Sequence, residues 1–586
     1  MVFAERSIVI SYCVVVAMLL SVSGVSGADW TDTDGGDWHN DANWSGSAPD
    51  GQDAAADFTS DIGSDIDVNL DAPATVGSIL FADGGDAGSG YNSFRVTGSN
   101  ILSMDVSSGN AVVKASVGTG NEVATSLSMG GDELFVDPVA GAKVTFSGNI
   151  TGTGGLDTSN DGGTFEFLGD NSGWSGRVDV TTNGGRLGLG SNTALGTGLL
   201  NIRNNATLYA VGGDQVLSNQ LGFASTQTVL FDGANGNDLT FTGDGSIGSL
   251  VPGGGAGTLS FTGDLNLSTR IDANGSGSRV NFTGNNSGSI GQIREGAVIG
   301  IGHDNALGSG TGDIRTVFDP VFMAMNGART ISQNFKLAVS DFNVTGADDL
   351  TVTGTVFEEA GRSGGLNKDG SGTLTLKGNN SYTETTTINS GMLVAAHDSA
   401  LGSGSVAVNT GGTLAVTSGV TVANAVGWAD GTTIAGSGTY DRGSAWNLPE
   451  NFTIAPGFSP GTLAINAGAG NLVTLQETTD LMMELASDSN FDSIAITGDA
   501  AVAGELYLDL LGDYAPGLGQ TFDLLTADSI TDNGLSLAGP YAGDFTWEIV
   551  PGDSEILQVI SQVPEPGAGV LLFLGLILMS GLRRHM

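Results

Sequence analysis

The chain of 586 residues has a single cysteine, Cys13, inside an N-terminal apolar run. The body of the protein therefore carries no disulfide and no cysteine-based metal site. Positive charge is also scarce: 19 Lys and Arg stand against 63 Asp and Glu, a formal net charge of −44. Phosphate binding needs a basic face, so nucleic acid is excluded as a partner. Solubility, divalent cations and basic polymers fit this charge instead. The lysines number five (Lys114, Lys143, Lys336, Lys368 and Lys377), and no short stretch gathers a Lys/Arg cluster. A polysaccharide lyase or hydrolase would need such a base, or paired carboxylates across a groove. Pairs such as Asp348/Asp349 and Glu358/Glu359 occur, but among so many acids they carry no specificity. No H-E-x-x-H motif or nucleophile elbow is read, and catalysis is not expected.

Glycine is abundant, with 95 residues, but has no Gly-X-Y period, which excludes collagen. With 40% apolar and 14% charged residues, the chain is too apolar for a disordered one. Many short strands joined by many turns remain. A pentapeptide, apolar-x-apolar-x-Gly, recurs as VTFSG at Val144, FEFLG at Phe165, LTFTG at Leu239, LSFTG at Leu259, VNFTG at Val280, LTVTG at Leu350 and LTLKG at Leu374. Start-to-start intervals are 21, 74, 20, 21, 70 and 24 residues. The short ones match one coil of a β-helix, and the long ones read as about three coils. Alternation puts two side chains inside and the polar one outside, and glycine turns the corner.

A second element, TALGTG at Thr193, NALGSG at Asn305 and SALGSG at Ser399, follows GDNSG at Gly169, GNNSG at Gly284 and GNNSY at Gly378. The shared order defines three degenerate cassettes. The expected fold is all-β: a right-handed parallel β-helix of roughly 20–24-residue coils with a C-terminal β-rich cap. About fourteen coils in the middle would make a rod about 65 Å long. A string of β-sandwiches is the alternative, but it does not predict the period. Residues 370–416 are the best-preserved copy. Gly370, Gly372, Thr373, Leu374, Leu376, Gly378, Asn379, Asn380, Tyr382, Thr387, Ile388, Gly391 and Leu393 resemble the autotransporter-associated β-strand repeat. Glu384 departs from that pattern, which usually has Gly there.

Both ends look like address labels. Residues 8–20 are apolar behind Arg6, and Ser26 and Ala28 occupy the −3 and −1 places of a cleavage site. That reads as a signal peptide for the Sec translocon, with Asp29 as the mature N-terminus. At the other end Pro564-Glu565-Pro566 precedes an apolar run, 567–582, and then Arg583-Arg584. This order is similar to the PEP-CTERM sorting signal of Gram-negative bacteria. The resemblance implies transient inner-membrane anchoring, recognition by an exosortase-type membrane protease, and cleavage near Pro564–Pro566; a plain tail anchor is the alternative. The expected organisation is a signal peptide (1–28), an N-terminal β region and cap (29–140), three repeat cassettes (141–445), a C-terminal β region (446–562) and the sorting segment (563–586).

Trp30, Trp38 and Trp44 stand in a polar segment and are expected to plug the first coil, with sugar stacking as the alternative. His303-Asp304 and His397-Asp398 precede ALGSG in cassettes two and three. A His/Asp pair can bind metal or share a proton. Cassette one has Ser191-Asn192 there, so turn chemistry is the expectation. GANGNDLTF, from Gly233, is similar to a calcium nonapeptide and makes Asp238 a weak metal candidate. No cofactor other than such a calcium ion is expected. The chain reads as an exported cell-surface or exopolysaccharide-matrix scaffold. The alternatives are a carbohydrate-binding adhesin, with exopolysaccharide as a partner, or a carbohydrate-active enzyme.

Overall fold

The computed structural model describes residues 27–563 except 86–90, 159–160, 182, 225–227, 254, 273–277 and 459. Among the described residues one 3-10 turn, Asp41–Asn43, is the sole helical element. The strands stack as a parallel β-helix of about 20 coils of about 22 residues. At about 4.8 Å per coil the rod is about 95 Å long. Sheets of 25, 11 and 13 strands form its long faces, and the pairing along them is parallel until the C-terminal region. Parallel pairing between successive coils excludes the string of sandwiches. The stack also extends past residues 141–445: the ladder already runs from Ala28–Asp29 to Ala55–Phe58 and on to Ser78–Phe81.

The pentapeptides supply the core. In Leu239–Phe241, Thr258–Phe261 and Arg279–Phe282 the apolar positions are buried and register on one another. Phe241, Phe261 and Phe282 stack with centroid separations of 5.7 and 5.6 Å and interplanar angles of 18° and 13°. Each buried phenylalanine contributes about 1.5–3 kcal/mol through the area it removes from water.

The long intervals require a correction. Val144 and Phe165 lie in the 25-stranded sheet, Leu239, Leu259 and Val280 in the 11-stranded sheet, and Leu350 and Leu374 in the 13-stranded sheet. The 74- and 70-residue intervals exceed three coils by part of a coil, so each cassette resumes on a different face.

The glycine that closes each pentapeptide sits where one coil's corner meets the next. A Cβ on Gly263 would collide with the Gly243 carbonyl, and one on Gly284 with the Gly263 carbonyl. These glycines are needed for close approach, because a 4.8 Å rise leaves no room for a side chain over a backbone oxygen.

Both rod ends are covered. Trp30, Trp38 and Trp44 are at most 4% exposed and pack on one another and on Phe58 at 5.0–6.1 Å. Each indole N–H donates to a backbone oxygen, of Asp32, Pro49 and Trp38 respectively. Their rings face the core, so sugar stacking on Trp38 or Trp44 is overturned. At the far end the strands lengthen, as in Asp480–Ser487 and Asp499–Leu510. Thr521–Ala527 and Phe545–Val550 then flank Glu555–Ser561 in antiparallel pairing, which breaks the coil path.

Asp492, fully buried near this end, accepts the Gly461 N–H at 2.8 Å and the Glu484 N–H at 2.9 Å. Desolvation raises its pKa to about 6, the two N–H bonds oppose the rise, and the Glu484 carboxylate adds to it.

Two outcomes follow from these contacts. Gly263→Ala should cost about 1–3 kcal/mol in thermal or urea denaturation, whereas Gly131→Ala, with open space around it, should leave the midpoint unchanged. Asp492 binds its proton more tightly folded than unfolded, so its stabilising share is complete below about pH 4 and is lost as pH rises through about 6. Wild type should lose on the order of 2 kcal/mol relative to Asp492→Asn between pH 4 and 7. Parallel pH profiles would contradict this assignment.

Candidate functional site

The three A-L-G turns share one construction. Beneath each lies the asparagine that closes the G-(D/N)-N motif: Asn171, Asn286 and Asn380 are 0%, 1% and 4% exposed. Each side-chain NH2 donates to the alanine carbonyl of its turn, Ala194, Ala306 or Ala400, at 2.6–2.8 Å. Each side-chain oxygen accepts a buried backbone N–H, from Ile150, Leu265 or Val356, at 2.6–2.9 Å. From the coil above, a further amide reaches down. Asn219 donates to Gly198 O at 2.8 Å, Asn424 to Gly404 O at 2.8 Å, and Gln333 to Gly308 O. Sequence reasoning found both motifs but missed this clamp and its upper residues; the signal was an Asn or Gln about one coil before and about one coil after each A-L-G.

The His/Asp pairs belong to the same turns. His303 Nδ1 accepts the Asn305 N–H and His397 Nδ1 accepts the Ser399 N–H, both at 3.0 Å. Asp304 accepts the Thr330 N–H at 3.0 Å and Asp398 the Thr421 N–H at 2.8 Å. In cassette one Ser191 and Asn192 fill both roles, accepting from Thr193 at 3.2 Å and Val216 at 2.8 Å. One histidine and one carboxylate in each pair thus act as turn acceptors.

Asp238 is likewise a link between coils: it accepts the Thr258 N–H at 2.6 Å, while its own N–H donates to Asp214 at 2.8 Å. Among the described residues no group of three or more His, Cys, Asp or Glu is arranged to hold a metal ion. The carboxylate pairs are engaged as well. Asp348 and Asp349 accept the Gly327 and Thr373 N–H groups at 3.1 and 2.7 Å. Arg315 grips Glu359 at 2.9 and 2.7 Å and holds its carboxyl below the usual range. Glu358 accepts from Gly364 and Thr383. Lys368 is buried, which lowers its pKa, and donates to the Asp369, Gly370 and Ser390 carbonyls at 2.9, 2.9 and 3.2 Å.

Two strings have nucleophile-elbow spacing after all, Gly361-Arg362-Ser363-Gly364-Gly365 and Gly457-Phe458-Ser459-Pro460-Gly461. An elbow needs a strand-to-helix turn. Ser363 instead lies between two strands, Val356–Glu358 and Leu366–Lys368, and Ser459 lies outside the described residues. Ser363 does border a polar groove of about 430 Å³, together with Asp319, Val339, Asp341, Asn367 and Glu384.

Of the segments at the ends, Ala28 and Asp29 form the first strand, so the expected cut falls between its two residues. The apolar run at 8–20 and Pro564, Glu565, Pro566, Arg583 and Arg584 lie outside the described residues. Among the described residues no helix is long and apolar enough to cross a membrane.

The passenger-associated-transport-repeat family profile matches residues 366–395, which contain the third G-(D/N)-N motif, at Gly378–Asn380, and its flanking strands. No curated protein matches the chain. The repeat match and the β-helix fit a structural or adhesive, secreted, passenger-like domain.

The clamp and the turn histidine separate experimentally. Asn286→Ala should lower stability by about 2 kcal/mol, because it strands a buried N–H and a buried carbonyl. His303→Ala should cost about 0.5 kcal/mol, as a replaced turn acceptor. Denaturation of the two variants side by side checks the order; a larger loss at His303 would contradict it.

Proposed function

We propose that the chain is an exported, non-catalytic scaffold whose rod displays a long acidic surface in the cell envelope or exopolysaccharide matrix. The observation that carries this reading is the clamp, built three times from the same residue types. The His/Asp pairs, Asp238 and the paired carboxylates, which would be the first candidates for chemistry, serve backbone N–H groups or an arginine. A solenoid of this kind gains length with each added coil while every coil contacts only its neighbours. The repeat match at 366–395 supports export to the cell surface. The order Pro564-Glu565-Pro566, apolar run, Arg583-Arg584 supports sorting by an exosortase-type membrane protease after passage through the Sec translocon.

Fractionation of cells with and without that protease, with intact-mass analysis, tests the reading. The mature protein should begin at Asp29, lack Arg583 and Arg584, and lie outside the inner membrane. In cells without the protease it should keep its C-terminus and stay membrane-bound. A full-length C-terminus in both strains would overturn sorting.

A further inference from the structure

The groove stands apart from the clamps in three ways. First, its polar groups are not all used by the fold. Asp341 has both oxygens engaged, accepting the Gly365 N–H at 2.7 Å and the Asn367 NH2 at 3.0 Å. Asp319 uses one oxygen, for the Asp341 N–H at 2.8 Å, and the other has no partner among the described residues. The carboxylate of Glu384, the side-chain oxygen of Asn367 and the hydroxyls of Ser363 and Thr387 have no partner among the described residues.

Second, Glu384 breaks the repeat where it lines the groove. The last glycine of each A-L-G turn sits over one residue of the coil below: Gly198 over Gly176, Gly310 over Gly288, and Gly404 over Glu384. Cassettes one and two therefore keep glycine at this place, and cassette three carries a carboxylate that the clamp does not use.

Third, one apolar side chain, that of Val339, lines the groove beside these groups. Val339 borders the groove, and Phe318, next to Asp319, donates its N–H to the Val339 carbonyl. The two side chains are 49% and 51% exposed, and both residues hold left-handed φ values, 60° and 58°. β-Branched and aromatic residues rarely adopt that conformation.

The free groups set the ligand's chemistry. Acceptors outnumber hydroxyls, so the groove favours a molecule rich in donors. No Lys or Arg borders it, so an anionic sugar would meet carboxylates without a counter-charge. The groove's volume of about 430 Å³ falls within the size range of small-molecule sites, and its largely polar lining suits a hydroxyl-rich ligand better than an apolar one.

We propose that this groove is a subsite for an uncharged hexose segment of a glycan. Asp319, Glu384 and Asn367 accept its hydroxyl protons, Ser363 and Thr387 bond further oxygens, and Val339 covers part of the ring's apolar face. This deepens the adhesive reading above and rests on it for the presence of polysaccharide outside the cell.

Binding of the full chain to neutral hexose oligosaccharides (cellohexaose, mannohexaose, maltohexaose), to a chitosan hexamer and to oligogalacturonate, each with and without calcium, tests the proposal. The variants are Glu384→Gly, which restores the residue type of the other cassettes, and Asn367→Ala. At least one neutral oligosaccharide should bind without calcium. Both variants should weaken that binding about tenfold or more, with the melting temperature of Glu384→Gly unchanged. Binding of only the uronate or only the chitosan oligomer, binding that requires calcium, or neutral binding that survives both variants would overturn it. So would no binding at all. Export and C-terminal processing are read separately, so failure here leaves the scaffold reading standing.

Discussion

A β-helix depends on what happens to the backbone where a coil leaves one sheet and turns into the next. Along the faces the ladder satisfies each strand from its neighbours; at the corners the ladder stops, and buried N–H and C=O groups need other partners. Here those partners are Asp and Asn side chains one coil away. Asp238, Asp304, Asp349 and Asp398 each accept an N–H from the following coil. Asn171, Asn286 and Asn380 both accept and donate. Part of the net charge of −44 thereby has a structural origin. A carboxylate at a corner satisfies a neighbouring N–H while its exposed edge keeps the rod soluble.

The same constraint explains the glycines and the drift of the cassettes. Side-chain links between corners hold the coils at strand spacing, and at that spacing Gly263 and Gly284 cannot carry a Cβ. The cassettes do not contain a whole number of coils, so each clamp falls on a new face.

The strands and the coil period were legible in the sequence because alternation and corner glycine are local signals. Leu239, Leu259 and Val280 lie where their spacing put them. The turn role of His303 and His397 was also readable, because Ser191 stood in their place in cassette one. The change of face between cassettes was not: it depends on a fraction of a coil, and turns of varying length blur that fraction. The partners of Asn171 and Asn286 were hidden because a buried amide and its carbonyl lie some twenty residues apart. The groove was the hardest to foresee. Its residues come from successive coils, and Glu384 showed only as a departure from a pattern, without the strained corner at Phe318 and Val339 that gives it a setting.

A scaffold that relies on links between coils should be most rigid where those links are buried. The most direct measurement is amide hydrogen exchange at single-residue resolution for Ile150, Leu265 and Val356, whose N–H groups bond to the side chains of Asn171, Asn286 and Asn380. The account predicts protection equal to that of central strand amides such as Phe261 and Phe282. Exchange at the rate of exposed loops would mean that the amide clamps do not hold the corners, and would contradict it.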